Sequence, residues 1–265
     1  MKESQIPPDH PRAESLIIRE GLARMLESGV VVPEGLMAHG RGEAFDYLIG
    51  EVTISPAHDA IQAAAATLLI ANHPVISING NVAALAAGEV ARLSAACGAK
   101  VEVNLFHQSR DREEAIAELL QKSGVDEVLG VGASSNIPEV GSSRRRVDPN
   151  GILVSDVVLV PLEDGDRIKA LEKIGKKVIT VDLNPLSQAA QHASITIVDN
   201  VVRALPSLTN LISKLSNKTT LDLHSIVDNF DNNRNLSLCL NHILHRIKEL
   251  QEQKIKVNRP SSTRS

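Results

Sequence analysis

The residues able to do chemistry in this chain cluster in short polar stretches rich in Arg, Asn, Asp and Gly. Residues 130–148 read GVGASSNIPEVGSSRRRVD, in which Ser142 and Ser143 precede Arg144, Arg145 and Arg146. Small residues let main-chain N–H groups approach phosphate oxygens, and a guanidinium grips a phosphate with two parallel hydrogen bonds. A solvated basic loop has the same composition, so spacing alone leaves both readings open. Gly130-x-Gly132 lacks the third glycine of a dinucleotide fingerprint, and no GK[ST] phosphate loop occurs. A standard NAD site and a standard Walker ATPase are both disfavoured.

Further stretches have the same character. Residues 39–51 read HGRGEAFDYLIGE. Glycines on both sides of Arg41 suggest close approach to a ligand, and His39 suits a general base or a hydrogen-bond donor. A plain turn between helices is the competing reading. Residues 71–81, ANHPVISINGN, put Asn79, Gly80 and Asn81 after an apolar run. Asp182-Leu183-Asn184-Pro185 follows another such run, with Asn184 as a helix cap and Pro185 as first helical residue. Free N–H groups at such a helix start attract anions, and an acid at a strand tip suits a ribose. Asp199-Asn200 repeats the pattern. Together these tips suit a ligand with several negative charges, a nucleotide among them.

The elements that must carry these tips alternate. Helices are expected over Pro11–Leu26, from Asn81 as cap through Ala96, over Asp111–Lys122 and over Arg167–Ile174, with glycines at 98, 124 and 175 as stops. Strands are expected over Val75–Ile78, Lys100–Phe106, Glu127–Gly132, Ile152–Leu162, Val178–Asp182 and Ile195–Val198. Lys100–Phe106 reads as half-buried, and the continuous Ile152–Leu162 run as buried on both faces. The pattern predicts an α/β, Rossmann-like, mainly parallel sheet with helices on both faces, whose ligands lie outside the carboxyl ends of the strands. From Val202 onward the sequence reads as mostly helical. There Leu236, Leu240, Ile243, Ile247 and Leu250 form a heptad-like stripe, facing either its own core or a second copy.

Composition narrows the function classes. Of 265 residues only Phe45, Phe106, Phe230 and Tyr47 are aromatic, too few for a surface that stacks bases. Cys97 and Cys239 are far apart, so neither a disulfide framework nor a zinc site of usual spacing is expected. Metal-ligand spacing is absent, and no metal site is expected in the chain itself. The first fifteen residues are polar, and the most apolar run, Ala60–Ala71, is too short to span a membrane. A cytoplasmic protein without nucleic-acid or membrane partners is the expectation. Residues 203–265 carry 10 Lys+Arg against 5 Asp+Glu, while the preceding part has a net charge of −9. The basic tail reads as a solvated helix and a frayed end. Residues 1–206 are expected to form the nucleotide- and substrate-binding core, 207–257 a helical extension, and 258–265 a disordered tail.

Five stretches, in order, resemble one known family: PPDHPRAESLIIRE, GLMAHGRGEAFDYLIGE, ANHPVISINGN, GASSNIPEVGSSRRRVDPNGILVSDVVLVPLEDGDR, and VDLNPLS with VDNVVRA. The family is archaeal phosphopantothenate synthetase, also called 4-phosphopantoate–β-alanine ligase, and the resemblance covers about residues 6–206. It implies that 4-phosphopantoate, β-alanine and ATP give 4′-phosphopantothenate, AMP and diphosphate through an acyl adenylate, in coenzyme A biosynthesis. No protein nucleophile is then needed. The resemblance implies an ATP site made by Arg19, Arg41, Asp182, Leu183, Asn184, Gln188, Ala189, Asn200 and Val201. Arg19 and Arg41 would face phosphates. Gln188-Ala189 stands where family members often carry a basic and a hydroxyl residue, which leaves main-chain N–H groups to make the contacts there. Arg144–Arg146 with Ser142 and Ser143 are assigned to the phosphate of phosphopantoate, Asn79 and Asn81 to substrate, and His39 to the β-alanine amine. Magnesium is expected as a companion of ATP, and a homodimer as the assembly. The other classes left open are a nucleotide-dependent oxidoreductase and a non-enzymatic nucleotide- or CoA-binding regulator.

Overall fold

The structure, a computed structural model, describes residues 6–257 apart from 8, 11 and 139, with side chains as far as 253. Pro11, expected in the first turn of a helix, and the tail from 258 lie outside the described residues. Helices α1 (Ala13–Arg24), α2 (Pro33–Ile49) and α3 (Ser55–Ile70) precede the first strand. The alternating part follows: β1 (Pro74–Ile78), α4 (Gly80–Cys97), β2 (Lys100–Val103), α5 (Arg110–Lys122) and β3 (Val128–Leu129). A small antiparallel ribbon, β4 (Ser135–Asn136) with β5 (Arg146–Val147), interrupts the alternation. Then come β6 (Val157–Leu159), α6 (Gly165–Lys173), β7 (Lys177–Val181), α7 (Gln188–His192) and β8 (Ile195–Ile197). Three helices close the chain: α8 (Val201–Leu215), α9 (Thr220–Asp228) and α10 (Asn232–Val257).

Six strands form one parallel sheet in the order β3-β2-β1-β6-β7-β8. Val75–Ile78 pair with Lys100–Val103 on one side, and Pro74–Ile76 with Val157–Leu159 on the other. This is the expected Rossmann-like layout, and the order reverses between β1 and β6, where such sheets open a crevice. Alternate strand residues serve two cores. Ile76, Val101, Leu159 and Ile179 pack with α3, α4 and α8, while Val75, Val158 and Val178 pack with Ile168 and Leu171 of α6.

Several expectations are corrected. Lys100–Phe106 is not half-buried: Glu102 and Asn104, on the polar side of its alternation, are 0% and 3% exposed. Helices cover both faces of a parallel sheet, so polar strand residues survive only where main-chain groups satisfy them. Glu102 accepts N–H groups from Asp148 at 3.0 Å and Ile152 at 2.6 Å. The apolar run Ile152–Leu162 yields only the short β6. Its first part makes a turn, with Val154 N–H donating to Gly151 and Ser155 N–H to Ile152, while Ile152 stays wholly buried. Asn79, not Asn81, caps α4, accepting from Val82 N–H at 3.1 Å. The HGRG stretch is no turn but the middle of α2. Pro33 starts that helix, and its buried stripe is Glu43, Asp46 and Ile49, two of them acidic, so hydrophobic periodicity does not reveal it.

On α10, Leu236, Cys239 and Ile243 join Ile49, Ile54, Leu183 and Val198 in a third core. Further along, Leu244, Ile247 and Leu250 are 54%, 44% and 43% exposed. The first half of the stripe therefore packs on its own chain. Among the described residues no helix is long and apolar enough to cross a membrane.

Candidate active site

The carboxyl ends of β1, β2, β6, β7 and β8 open onto one cleft of about 680 Å³, with α2 lying across it. Ligand pockets typically run ~300–1,000 Å³, and this cleft falls within that range. His39, Arg41, Asn79, Asn81, Arg144, Asp182, Leu183, Asn184, Gln188, Ala189, Asn200 and Val201 line it. Arg19, Ser142, Ser143, Arg145 and Arg146 do not.

The end beside β7 and β8 is built from turns and helix starts. Asp182 accepts N–H from Asn184 at 2.9 Å and a hydrogen bond from Ser187 Oγ. Burial raises its carboxyl above the ordinary range; Ser187, Asn184 and the charge of Arg41 oppose that rise. Asn184 and Pro185 do not start α7. Asn184 Oδ1 accepts from Leu186 N–H at 2.9 Å in a tight turn, and Ser187 caps the helix by accepting from Ala190 N–H at 2.9 Å. A residue that closes its own turn in this way competes with capping, which moves the helix start to Gln188.

Asn200 caps α8 by accepting from Val202 N–H at 3.3 Å and donates to Asp46 Oδ2 at 2.9 Å. Arg203 donates to Asp46 at 2.5 Å and 3.2 Å and to Asp199 at 2.9 Å. Asp199 also accepts from Thr53 Oγ1 at 2.6 Å. These buried acids lock α2 against the start of α8, which fixes Arg41 relative to the tips of β7 and β8. Gly42 faces Leu183 there: a Cβ on it would sit 3.7 Å from Leu183 Cδ1.

His39 is half-buried on the same helix. Burial holds its imidazole below its ordinary value, with Glu43 pulling the other way. Arg19, expected at phosphates, is taken by Glu43, to which it donates at 2.9 Å and 2.6 Å. Tyr47 Oη also donates to Glu43 at 2.6 Å. Burial disfavours the Glu43 carboxylate, but the bonds from Tyr47 and Arg19 outweigh it and hold the group below the usual range.

At the cleft floor the arginine triplet divides. Asn104 Nδ2 donates to the carbonyls of Arg144 at 3.2 Å and Arg146 at 2.8 Å, which pins the segment to β2. Arg145 and Arg146 remain exposed, and Arg146 donates to the Ala133 carbonyl at 3.1–3.2 Å. Arg144 alone turns inward, 8% exposed, against Glu163 and beneath the Phe106 ring. Burial, then the nearby Arg167 charge, lowers its guanidinium to about 10. Its Nε has no hydrogen-bond partner among the described residues. A buried guanidinium with donors to spare suits an anion.

Asn79 and Asn81 line the wall, yet both side chains are engaged. Asn79 Nδ2 donates to Leu162 O at 2.9 Å, and Asn81 Nδ2 to Gly35 O at 2.8 Å. Residue-type reasoning missed Glu34, Phe106, Arg112, Glu163 and Asp164 on the same walls. Phe106 had a signal: it is one of only four aromatics and is 48% exposed.

The cleft therefore offers one end of helix starts and polar tips for a nucleotide and a buried arginine for a second anion. The family model of phosphopantothenate/pantothenate synthetase matches residues 56–246. This chain belongs to that family. A protein of Thermococcus onnurineus named 4-phosphopantoate–beta-alanine ligase is 50% identical over 249 residues, covering 94% of this chain and 95% of its own. Its namesake in Thermococcus kodakarensis is 51% identical over 251 residues, 94% and 96% of the two chains. One in Methanosarcina mazei is 46% identical over 247 residues, 93% and 97%. Membership of the phosphopantothenate synthetase family makes this chain a ligase and implies ATP use. The oxidoreductase and regulator alternatives are not favoured.

Proposed function

We propose that this chain is the AMP-forming ligase of 4-phosphopantoate and β-alanine, working through an acyl adenylate. What carries the site assignment is that Arg41, Asp182 and Arg144 open onto one cleft at the carboxyl ends of the sheet. ATP lies along α2 and the starts of α7 and α8, with Asp182 and Asn184 toward ribose or base and Arg41 toward phosphates. Leu183, Gln188, Ala189, Asn200 and Val201 complete that end, Gln188 and Ala189 through main-chain N–H groups. Arg144 takes the phosphate of phosphopantoate. Arg145, Arg146, Ser142 and Ser143 stay outside.

The phosphopantoate carboxylate oxygen bonds to the ATP α-phosphorus while the bond to diphosphate breaks. Arg41 stabilises charge gathering on the phosphate oxygens. The β-alanine nitrogen, after losing one proton, bonds to the acyl carbon. The tetrahedral intermediate then sheds a second proton and expels AMP. His39, whose neutral form burial favours, accepts the first.

Among the described residues no group of three or more His, Cys, Asp or Glu side chains is placed to hold a metal. Magnesium would accompany ATP, held mainly by its phosphates. The resemblance further supports a cytoplasmic homodimer, and we assign the dimer contact to Leu244, Ile247 and Leu250.

One incubation of the purified chain with ATP, magnesium, 4-phosphopantoate and β-alanine tests the reading. Phosphopantothenate with an equal amount of AMP is expected by mass and nucleotide chromatography. ADP in place of AMP would replace the adenylate with an acyl phosphate, and absence of product would overturn the function.

A further inference from the structure

We propose that Arg112 recognises the carboxylate of β-alanine and so makes the second half-reaction selective for an amino acid. The inference rests on the ligase reading.

Arg112 lies at the third position of α5, where the positive end of the helix dipole disfavours a cation. Its neighbour Arg110 is compensated by Glu114 at 2.6 Å. Arg112 has no such partner: among the described residues its guanidinium donates only to main-chain carbonyls. These are Gly29 O at 2.9 Å, Val30 O at 3.2 Å, and His107 O. Neutral carbonyls orient the charge without cancelling it. Those three bonds leave two of five N–H groups unused. The group lines the cleft beside the start of α4, where a Cβ on Gly80 would come 3.3 Å from its Nη2.

The surroundings select the anion. Glu34 lines the same wall and exerts its charge on Arg112. It forms no ion pair among the described residues. A phosphate dianion beside Glu34 would be repelled more strongly than a carboxylate monoanion. Three arginines line the cleft; with Arg41 assigned to the ATP phosphates and Arg144 to the phosphate of phosphopantoate, Arg112 is left.

Order along α2 agrees. Glu34 and Gly35 sit at the Arg112 end, tied through the Gly35 carbonyl to Asn81. Gly42 sits at the nucleotide end against Leu183. His39 lies between them, ~7.5 Å along the axis from Glu34. An amino acid held by its carboxylate at Arg112 presents its nitrogen toward His39 and the adenylate.

The test compares β-alanine with 3-aminopropanol, which keeps the amine and lacks the carboxylate, in the full chain and in Arg112→Met. The unchanged chain should prefer β-alanine in kcat/KM. In Arg112→Met the preference should shrink about tenfold or more, the usual worth of a charge-assisted hydrogen bond. Phosphopantoate-dependent exchange of diphosphate into ATP, which needs no β-alanine, should persist. Arg112→Gln keeps an amide donor for the main-chain carbonyls and decides alone if Arg112→Met does not fold. An unchanged preference, or a raised phosphopantoate KM with β-alanine KM intact, would overturn the assignment. Absence of exchange in the unchanged chain would instead remove the adenylate route, a separate failure.

Discussion

Arg167 Nη1 donates to Glu163 Oε2 at 2.5 Å in the interior, and the other oxygen of the same carboxylate meets Arg144. Arg167 is 0% exposed and also donates to Ser77 Oγ at 3.1 Å. Glu163 thus bridges two buried arginines under the cleft, and Asp164 Oδ2 also lies 3.7 Å from Arg144 Nη1. Burial lowers Arg167 to about 10, with Glu102 pulling it back up. Removing one partner of a buried pair strands the other charge, at a cost of about 3–5 kcal/mol. Glu163→Ala should lose roughly that much stability in urea unfolding, and it should raise the phosphopantoate KM because Arg144 is no longer held. A loss within ~0.5 kcal/mol, the level of an ordinary surface change, would refute the shared-acid account.

Gly165 and Gly40 predict opposite signs for the same substitution. A Cβ on Gly165 would fall 2.3 Å from Gln188 Cβ and 3.0 Å from Ala189 N, so the start of α7 must move. Overpacking of this kind costs ~1–3 kcal/mol. Because the displaced groups are main-chain atoms of the nucleotide end, Gly165→Ala should also weaken ATP binding in calorimetry. Gly40 lies inside α2 with nothing within 4 Å of its added Cβ. Gly40→Ala should stabilise by roughly 0.5–1 kcal/mol, since glycine is the poorer helix former. Equal Tm shifts for the two would contradict the packing.

The sheet was legible because its strands are short Val/Ile runs separated by helix-length segments, and Asn79, Asp182 and Asn200 were legible because polar residues directly follow those runs. What escaped had physical reasons. Helix α2 hides because Glu43 and Asp46 point inward, paired with Arg19 and Arg203 from distant parts of the chain. The triplet Arg144–Arg146 looks uniform in sequence, yet a three-residue turn of 3₁₀ helix sends Arg144 in and leaves the others out. Arg112 leaves no sign in the sequence because its three acceptors are main-chain carbonyls, which leave no mark on residue identity.

His39 sets the direction of the acid limb. Its pKa is lowered by burial, so the neutral form that accepts a proton persists to more acidic pH than for a free imidazole. Turnover with saturating substrates should hold through ~6.5 and fall only below it. His39→Gln should lower kcat and flatten that limb. A limb unchanged in His39→Gln would assign it to another group.

Arg41 is exposed on α2 and lines the nucleotide end. Arg41→Ala should therefore cost turnover about tenfold or more while stability changes by no more than ~0.5 kcal/mol. Near-normal activity would take Arg41 off the phosphates.

The end of the chain separates packing from assembly. Truncation after Ser216 removes α9 and α10, including Leu236, Cys239 and Ile243 from the third core. It also removes Asn232, which donates to the carbonyls of Ala190 and Ala193 at 2.9 Å and 3.0 Å and accepts from Thr196 N–H at 2.8 Å. The side of the sheet that carries Asp182 and Asn200 loses its cover, so the shortened chain should unfold or aggregate. A chain ending at Lys248 keeps all of these contacts as well as His242, which meets the Ile49 carbonyl at 3.0 Å. Of the described side chains it loses only 249–253, all exposed, and it should retain its Tm. If the α10 face joins two copies, this chain should run with a weaker dimer in sedimentation. A fully stable, active chain ending at Ser216 would show that the third core does not support the site.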